Sequence, residues 1–594
     1  MKILIVHPSD SVDAGPWARD HWDWIVDLGW SGRFCYEQAS RTGGCRVFSL
    51  HDHMDPDDHR SGLRSSLSAG LGKLVDEEGL DWWDLFVPLA YSRIDEILMV
   101  WSLRRKIPEG AEVVATRPHS CVRILSAALG RGIHCYAEEK TGGDASRLRR
   151  YSELTKNFRP AQLLEFALDK WDTDFRLRRF LHQKEKSSAE PAVLLPSAYV
   201  NVSRTQVAYA QRLPEHRFLQ VVTRPNGRLD SYPQNVSLRS LAAYSPIPNR
   251  KSTETEWIRL SREWQHVEEK TLDDTPELKL AKEFEAFSGF PRFLRTGLRL
   301  RDAWVGVLQQ EPIASVLAAD ENNAYTRMPV VLARRRGIRT VLCDHGALNM
   351  TVAYRPLQAD LYLAGGEMAR DYLVRFCGVS GERVVVGAAQ EALSTSVNRD
   401  RNRDWIVLFS EAYELFAGRT EMFYREVIPH LCALAREVGR KVVVKLHPFE
   451  SADERRRMLG RLLSSEDLQA VEVRQDALTD EFMGRVWCGL TVESTVACEC
   501  ALRRIPAFLC SWFESSWYQY GPQFARFGAA QVLQSPEQIK EIPRRVAEFV
   551  NTPEKLERIK RTIDREDLQR ALTGASAHRA TAATLGAEQG IPVR

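Results

Sequence analysis

Short, unbroken apolar runs alternate along the chain with amphipathic stretches, and polar turns separate the two. The first run, Lys2–Val6, is rich in β-branched residues and predicts a buried strand ending in His7-Pro8-Ser9-Asp10. Runs at 24–29, 84–87, 112–116 and 132–136 predict further strands, with a helix at 121–129. A second series opens with strands at 192–199 and 218–223 around a helix at 202–212. Residues 225–280, rich in Pro, Asn, Ser and charge, read as a long excursion or helical insertion, and the helical pattern runs from 275 to 310. Strands at 314–318, 337–343, 361–365 and 383–387 complete this half, and the polar stretch 391–404 is the expected linker. A third series holds strands at 405–410 and 442–445, the helix Thr420–Val438, a helix at 452–463 and a strand reaching Thr491. From 553 the pattern is helical and charged, and small residues after 573 predict a flexible tail. Strands alternating with helices imply an α/β protein on mostly parallel sheet.

Two strand ends carry unusual chemistry. Val-Val-Val-Lys-Leu-His-Pro, at 442–448, ends a buried strand on a cation, an imidazole and a turn-forming proline. Lys445 and His447 occupy alternate positions and share one side of the sheet edge. A lysine there can hold phosphate oxygens, and His447 can donate a hydrogen bond or a proton to a leaving phosphate. The bland alternative is a capped strand with an exposed lysine and a packed histidine. The second end, Thr-Val-Glu-Ser-Thr at 491–495, precedes a helix at Val496–Leu502. Glu493, Ser494 and Thr495 therefore read either as ordinary N-caps or as a site aiming hydroxyls and N–H groups at an anion. Strand ends opening onto helices are where doubly wound domains bind phosphorylated ligands. Together the two ends point to a nucleotide, and to a transferase that uses an activated donor.

Composition narrows the classes. At 594 residues the chain exceeds what one core serves. Its 82 basic and 79 acidic residues nearly cancel, which gives no support for a nucleic-acid binder. The basic runs Arg334-Arg335-Arg336 and Arg455-Arg456-Arg457 read as solvated helix faces. Eleven cysteines without a C-x-x-C pair suit a reduced, cytoplasmic protein and leave no metal motif. Asp55-Pro56-Asp57-Asp58, with His51, His53 and His59, reads as a surface turn. No apolar run approaches a membrane span, so any contact with the inner membrane is expected to be peripheral.

Three further stretches carry a family resemblance. Gly-Ile-Arg-Thr-Val-Leu-Cys-Asp-His-Gly-Ala-Leu, then Ala-Asp-Leu-Tyr-Leu-Ala-Gly-Gly-Glu-Met, then Glu-Arg-Val-Val-Val-Gly resembles bacterial surface-polysaccharide transferases. These include capsule-type Kdo transferases and CDP-glycerol glycerophosphotransferases, whose C-terminal domains share a Lys-x-His-Pro turn and a later Ser/Thr-rich turn. The resemblance covers roughly residues 310–530. It implies a GT-B-like fold: two Rossmann-type domains facing a cleft, with helical insertions. The expected layout is an acceptor-side region over 1–400 with an insertion at about 225–310, a donor-binding domain over 401–575, and a tail over 576–594. Asp344 stands where the glycerophosphotransferases carry an aromatic residue or Gln, and their Asp-Tyr-Ser-Ser is missing, so a sugar donor is favoured.

The expected roles follow. His345 and Asp344 end an N-domain strand and supply a base for the acceptor hydroxyl or contact the donor; a turn-stabilising pair is the alternative. His447 joins them as a catalytic candidate. Lys445, Glu493, Ser494 and Thr495 bind the donor, and the resemblance adds Glu499 on its ribose and Glu411 nearby. Asp320 and Glu321, with Asn322 and Asn323, bind acceptor hydroxyls or form an N-cap, and Arg117 holds an anionic acceptor. No cofactor or metal is expected, the nucleotide-activated sugar being a substrate. The predicted reaction is metal-independent transfer of that sugar to a cell-surface or lipid-linked glycan. A CDP-polyol phosphotransferase and a non-catalytic nucleotide-sugar-binding scaffold are the alternatives, with a sugar epimerase behind them.

Overall fold

The computed structural model describes residues 1–7, 10, 12, 15–28, 45–50, 74–137, 188–224, 227–245, 250–270, 275–321, 323–345, 357–389, 403–411, 420–447, 450–513 and 520–574. Outside these lie most of the expected linker, the tail from 575, the 55–58 turn with its histidines, and Asn322, Gly346 and Pro448.

Three all-parallel sheets organise the described residues. The first holds β1 (Lys2–Val6), β2 (Trp24–Asp27), β3 (Arg46–Ser49), β4 (Glu112–Ala115) and β5 (His134–Cys135), in the order β3-β2-β1-β4-β5. In the second are β6 (Ala192–Ser197), β7 (Phe218–Val222), β8 (Val236–Ser240), β9 (Ile313–Ala318), β10 (Arg339–Cys343), β11 (Leu361–Ala364) and β12 (Val384–Val386). Its order is β12-β11-β10-β9-β6-β7-β8. The third holds β13 (Trp405–Phe409), β14 (Lys441–Lys445), β15 (Val471–Arg474), β16 (Val486–Thr491), β17 (Ala507–Cys510) and β18 (Gln531–Leu533), ordered β15-β14-β13-β16-β17-β18. Strands such as β13 are buried along their whole length, because helices cover both faces of a parallel sheet. That is why they read as unbroken apolar runs.

The region expected over 1–400 thus contains two sheets. The second and third form the GT-B-like pair of Rossmann-type domains; the first is an additional domain docked on the second. One expected strand is corrected: 84–87 lies in the helix Trp82–Lys106. Asp81 accounts for the difference, because its carboxylate accepts the N–H groups of Trp83 (3.0 Å) and Asp84 (3.3 Å) and starts a helix there. Strand β8 lies inside the stretch expected to be an excursion.

The helical insertion joins the first two sheets. Trp82, Trp83 and Phe86 of the first domain pack against Trp264, Phe287, Phe290 and Phe293 of helices Arg250–Lys270 and Phe290–Gln310 and their connection. Gly297 is required here, since a Cβ would stand 2.3 Å from the Trp82 ring. Two buried arginines seal the seam. Arg301 pairs with Asp76 (3.0 Å) and Glu256 (2.5 Å), and Arg327 with Asp84 (2.6 Å) and Glu321 (2.9 Å). The far end of the chain also crosses over. Helix Arg565–Thr573 buries Leu568, Ala571 and Leu572 with Leu317, Val341 and Cys343 of the second sheet, although the layout had placed it in the donor domain.

Candidate active site in the cleft between the second and third sheets

In the third sheet, strand order reverses between β13 and β16, so the crevice opens beyond their C-terminal ends. Ser410 and Glu411 follow β13 and hold the turns on either side. Glu411 Oε1 accepts from Thr491 Oγ1 (2.7 Å) and from the N–H groups of Val492 (3.1 Å) and Glu493 (3.0 Å). Desolvation pushes its carboxyl up, and these donors oppose the shift by favouring the anion. Glu411, expected on the donor, is thus first a clamp that shapes the Thr491–Thr495 turn. Ser494 Oγ accepts from Val496 N (3.3 Å), and Thr495 makes no side-chain cap.

Ser410 holds the other turn. Its hydroxyl donates to Glu450 Oε1 (2.7 Å) and accepts from Tyr424 (2.8 Å). Glu450 Oε2 accepts the His447 N–H (2.7 Å), and Arg455 reaches Oε1 at 2.5 Å. Arg455 is buried over the Tyr424 ring, 4.7 Å from its centroid, so its part of the basic run is no solvated face. Lys445 Nζ donates to the Leu446 carbonyl (2.8 Å), spending one of its three donors. It is buried rather than exposed, and burial holds its pKa down. Burial, then the Lys445 charge, lowers His447 below its ordinary 6.5, which keeps the imidazole neutral at pH 7.

Across the cleft, β10 ends at Asp344 and His345. His345 Nδ1 lies 2.6 Å from the Ala319 carbonyl, beyond β9. A carbonyl only accepts, so Nδ1 carries the proton and the neutral ring keeps its lone pair on Nε2. Asp344 Oδ1 accepts from the Tyr362 hydroxyl, not from His345. A cavity of about 200 Å³ brings Asp344 and His345 together with Thr495 and Glu499 of the third domain. Tyr209, Leu363, Ile559 and Lys560 also line it. Glu499 pairs with Arg503 at 2.5 Å, yet its side chain stays 44% exposed, open enough to meet a ligand.

The remaining candidates divide. Lys445, His447, Glu493 and Ser494 sit at the same sheet edge but outside the residues lining this cavity. Asp320 is buried and accepts from Asn323 Nδ2 (2.5 Å), while Asn323 caps the next helix. Glu321 is corrected from an acceptor ligand to a structural anion. It accepts from Arg327 (2.9 Å) and from the N–H groups of Gln358 (3.3 Å) and Ala359 (3.1 Å). Arg117 stands on the first sheet, away from this cavity, paired with Asp10 at 2.8 Å. Sequence reasoning missed Glu450, Arg455, Tyr209 and Lys560. Glu450, three residues after His447, was the one with a readable signal: carboxylates commonly accept N–H groups in tight turns.

No known family matches the sequence, and no curated protein does. Among solved structures, the chain is similar to Staphylococcus aureus MnaA with UDP (TM-score 0.38, 14% identity, covering 68% of this chain and 100% of that one). It is also similar to UDP-GlcNAc 2-epimerase from Neisseria meningitidis bound to UDP-GlcNAc (0.39, 11%, 66% and 99%). A third is CalG4, the calicheamicin glycosyltransferase (0.37, 14%, 68% and 100%). Likeness this distant decides nothing about chemistry.

Proposed function

We propose that the protein is a glycosyltransferase that moves a sugar from a nucleotide-activated donor to a surface-glycan or lipid-linked acceptor. The nucleotide lies along the third-sheet edge, its phosphates near Lys445, His447 and the Ser494 hydroxyl, and its ribose near Glu499. The acceptor enters from the second domain. His345 Nε2 takes the acceptor hydroxyl proton as the oxygen bonds to the anomeric carbon. The bond from that carbon to the leaving phosphate breaks, and the charge released is met by Lys445. Asp320, buried just past Ala319, positions the backbone that holds His345.

One observation carries this reading. An imidazole with its tautomer fixed for base chemistry shares a cavity with Thr495 and Glu499 of the opposing domain. The test is a thermal-shift series with CMP, CDP, UDP, GDP and ADP, with and without EDTA, since a ligand of the folded state raises its melting temperature. One nucleotide is expected to stabilise the protein, EDTA to leave that shift in place, and Lys445→Ala or Ser494→Ala to remove it. No shift with any nucleotide overturns the site. Phosphorus in the polymeric product would instead identify a polyol-phosphate transfer, and binding without turnover a scaffold.

A further inference from the structure

The first sheet has the same central strand order as the third, and its own crevice opens between β1 and β4. His7 follows β1, and Arg117 to Cys121 follow β4. We propose that this crevice binds a divalent transition cation of the zinc class through Glu96, His119 and Cys121. A carboxylate oxygen, a ring nitrogen and the thiol of these three all lie within 4.8 Å of one another. Glu96 comes from helix Trp82–Lys106, whereas His119 and Cys121 flank the start of helix Ser120–Leu129. This is why no ligand spacing shows in the sequence.

The donor set, one thiolate, one imidazole and one carboxylate, is the mixture zinc accepts in tetrahedral sites that keep a fourth position open. The His7 ring lies beside the cluster, 5.4 Å from that of His119 and edge-on to it, and the fourth position is left to water. Arg93 occupies Glu96 Oε2 at 3.5 Å and leaves Oε1 to face the thiol. The Cys121 thiol points its hydrogen at Glu96 Oε1 (3.3 Å), and Ser120 donates to the same oxygen. Binding replaces that hydrogen: the thiol releases one proton to solvent as the sulfur–metal bond forms. The competing use of the cluster is purely structural, since His119 Nδ1 also caps the Cys121 N–H at 3.2 Å.

Cobalt(II) added to the chelator-stripped full chain separates the two. One equivalent is expected to bind and to produce a near-ultraviolet thiolate-to-cobalt band. Cys121→Ser should abolish that band, and Glu96→Gln should weaken affinity by at least about 10-fold, as loss of even an outer partner of a metal ligand does. Absence of the band, or its persistence in Cys121→Ser, overturns the proposal. If Cys121→Ser does not fold, Glu96→Gln decides: unchanged cobalt affinity rejects the site. Nucleotide shifts recorded on the same samples keep this result separate from that of the cleft.

Discussion

The first and third sheets share the central strand order 3-2-1-4-5, yet the residues at their C-terminal edges differ in kind. Beyond β13 and β14, buried carboxylates take up backbone N–H groups: Glu411 holds one turn and Glu450 the other. Beyond β1 and β4 an ion pair joins the buried Asp10 side chain to the exposed Arg117, beside two imidazoles, a thiol and Glu96. The topology supplies a crevice in both places. Under the two proposals residue chemistry decides what enters it: Lys445 and the Ser494 hydroxyl meet an anion in one, and a thiolate, an imidazole and a carboxylate hold a cation in the other.

The largest effect expected is on His345. If the chemistry belongs to the cleft between the second and third sheets, His345→Gln should lower sugar transfer about 10²–10⁴-fold while leaving the nucleotide thermal shift in place. Arg117→Ala, on the first sheet, should leave that shift in place as well. A His345→Gln enzyme with undiminished turnover would move the active site elsewhere.

The two edges should also respond differently to loss of a carboxylate. Glu450→Ala strands the buried Arg455 without its partner and should cost about 3–5 kcal/mol in urea denaturation. Asp10→Ala leaves Arg117, whose side chain is 40% exposed, free to hydrate, and should cost about 1 kcal/mol or less. Equal costs would erase the distinction between a clamped edge and a solvated one.

The strands of the third sheet and part of its edge were legible in the sequence, and the reasons for the rest are local. The strands of the third sheet stood out because parallel strands covered on both faces are apolar throughout, as Trp405–Phe409 is. His345, Asp344 and Thr495 were singled out as strand-end and helix-start chemistry and Glu499 by the resemblance, and one cavity gathers all four. Arg455 was read as part of a solvated face because a charge in a polar stretch looks solvated until its buried counter-ion, Glu450, is placed beside it, and Glu321, expected on the acceptor, is met by Arg327 in the same way. The strand misread at 84–87 failed because Trp-Trp-Asp-Leu-Phe satisfies either period, and only the Asp81 cap decides. Glu96, His119 and Cys121 converge solely through tertiary packing, so no spacing announces them.

Gly297 tests the seam that attaches the first domain. A Cβ 2.3 Å from the Trp82 ring forces the aromatic cluster apart, so Gly297→Ala should destabilise by about 1–3 kcal/mol. The loss should appear in thermal melts without a change in nucleotide affinity. Reduced affinity would mean that the first domain supports the cleft directly.

The smallest effect separates the edges by pH. Burial and the Lys445 charge lower the His447 pKa in the folded protein, so between its ordinary 6.5 and that lower value the unfolded chain binds more protons. Stability contributed by the neutral ring is therefore complete above about pH 6.5 and falls as the pH drops through this window. His7 and His119, lowered chiefly by their own burial, add slopes of the same sign from the first sheet. His447→Gln should remove only the share of the third sheet, flattening the plot of melting temperature against pH below 6.5 without abolishing its slope. A slope unchanged by His447→Gln would mean that the acid sensitivity lies in the first sheet's histidines, and that the Lys445–His447 turn is open enough to charge without strain.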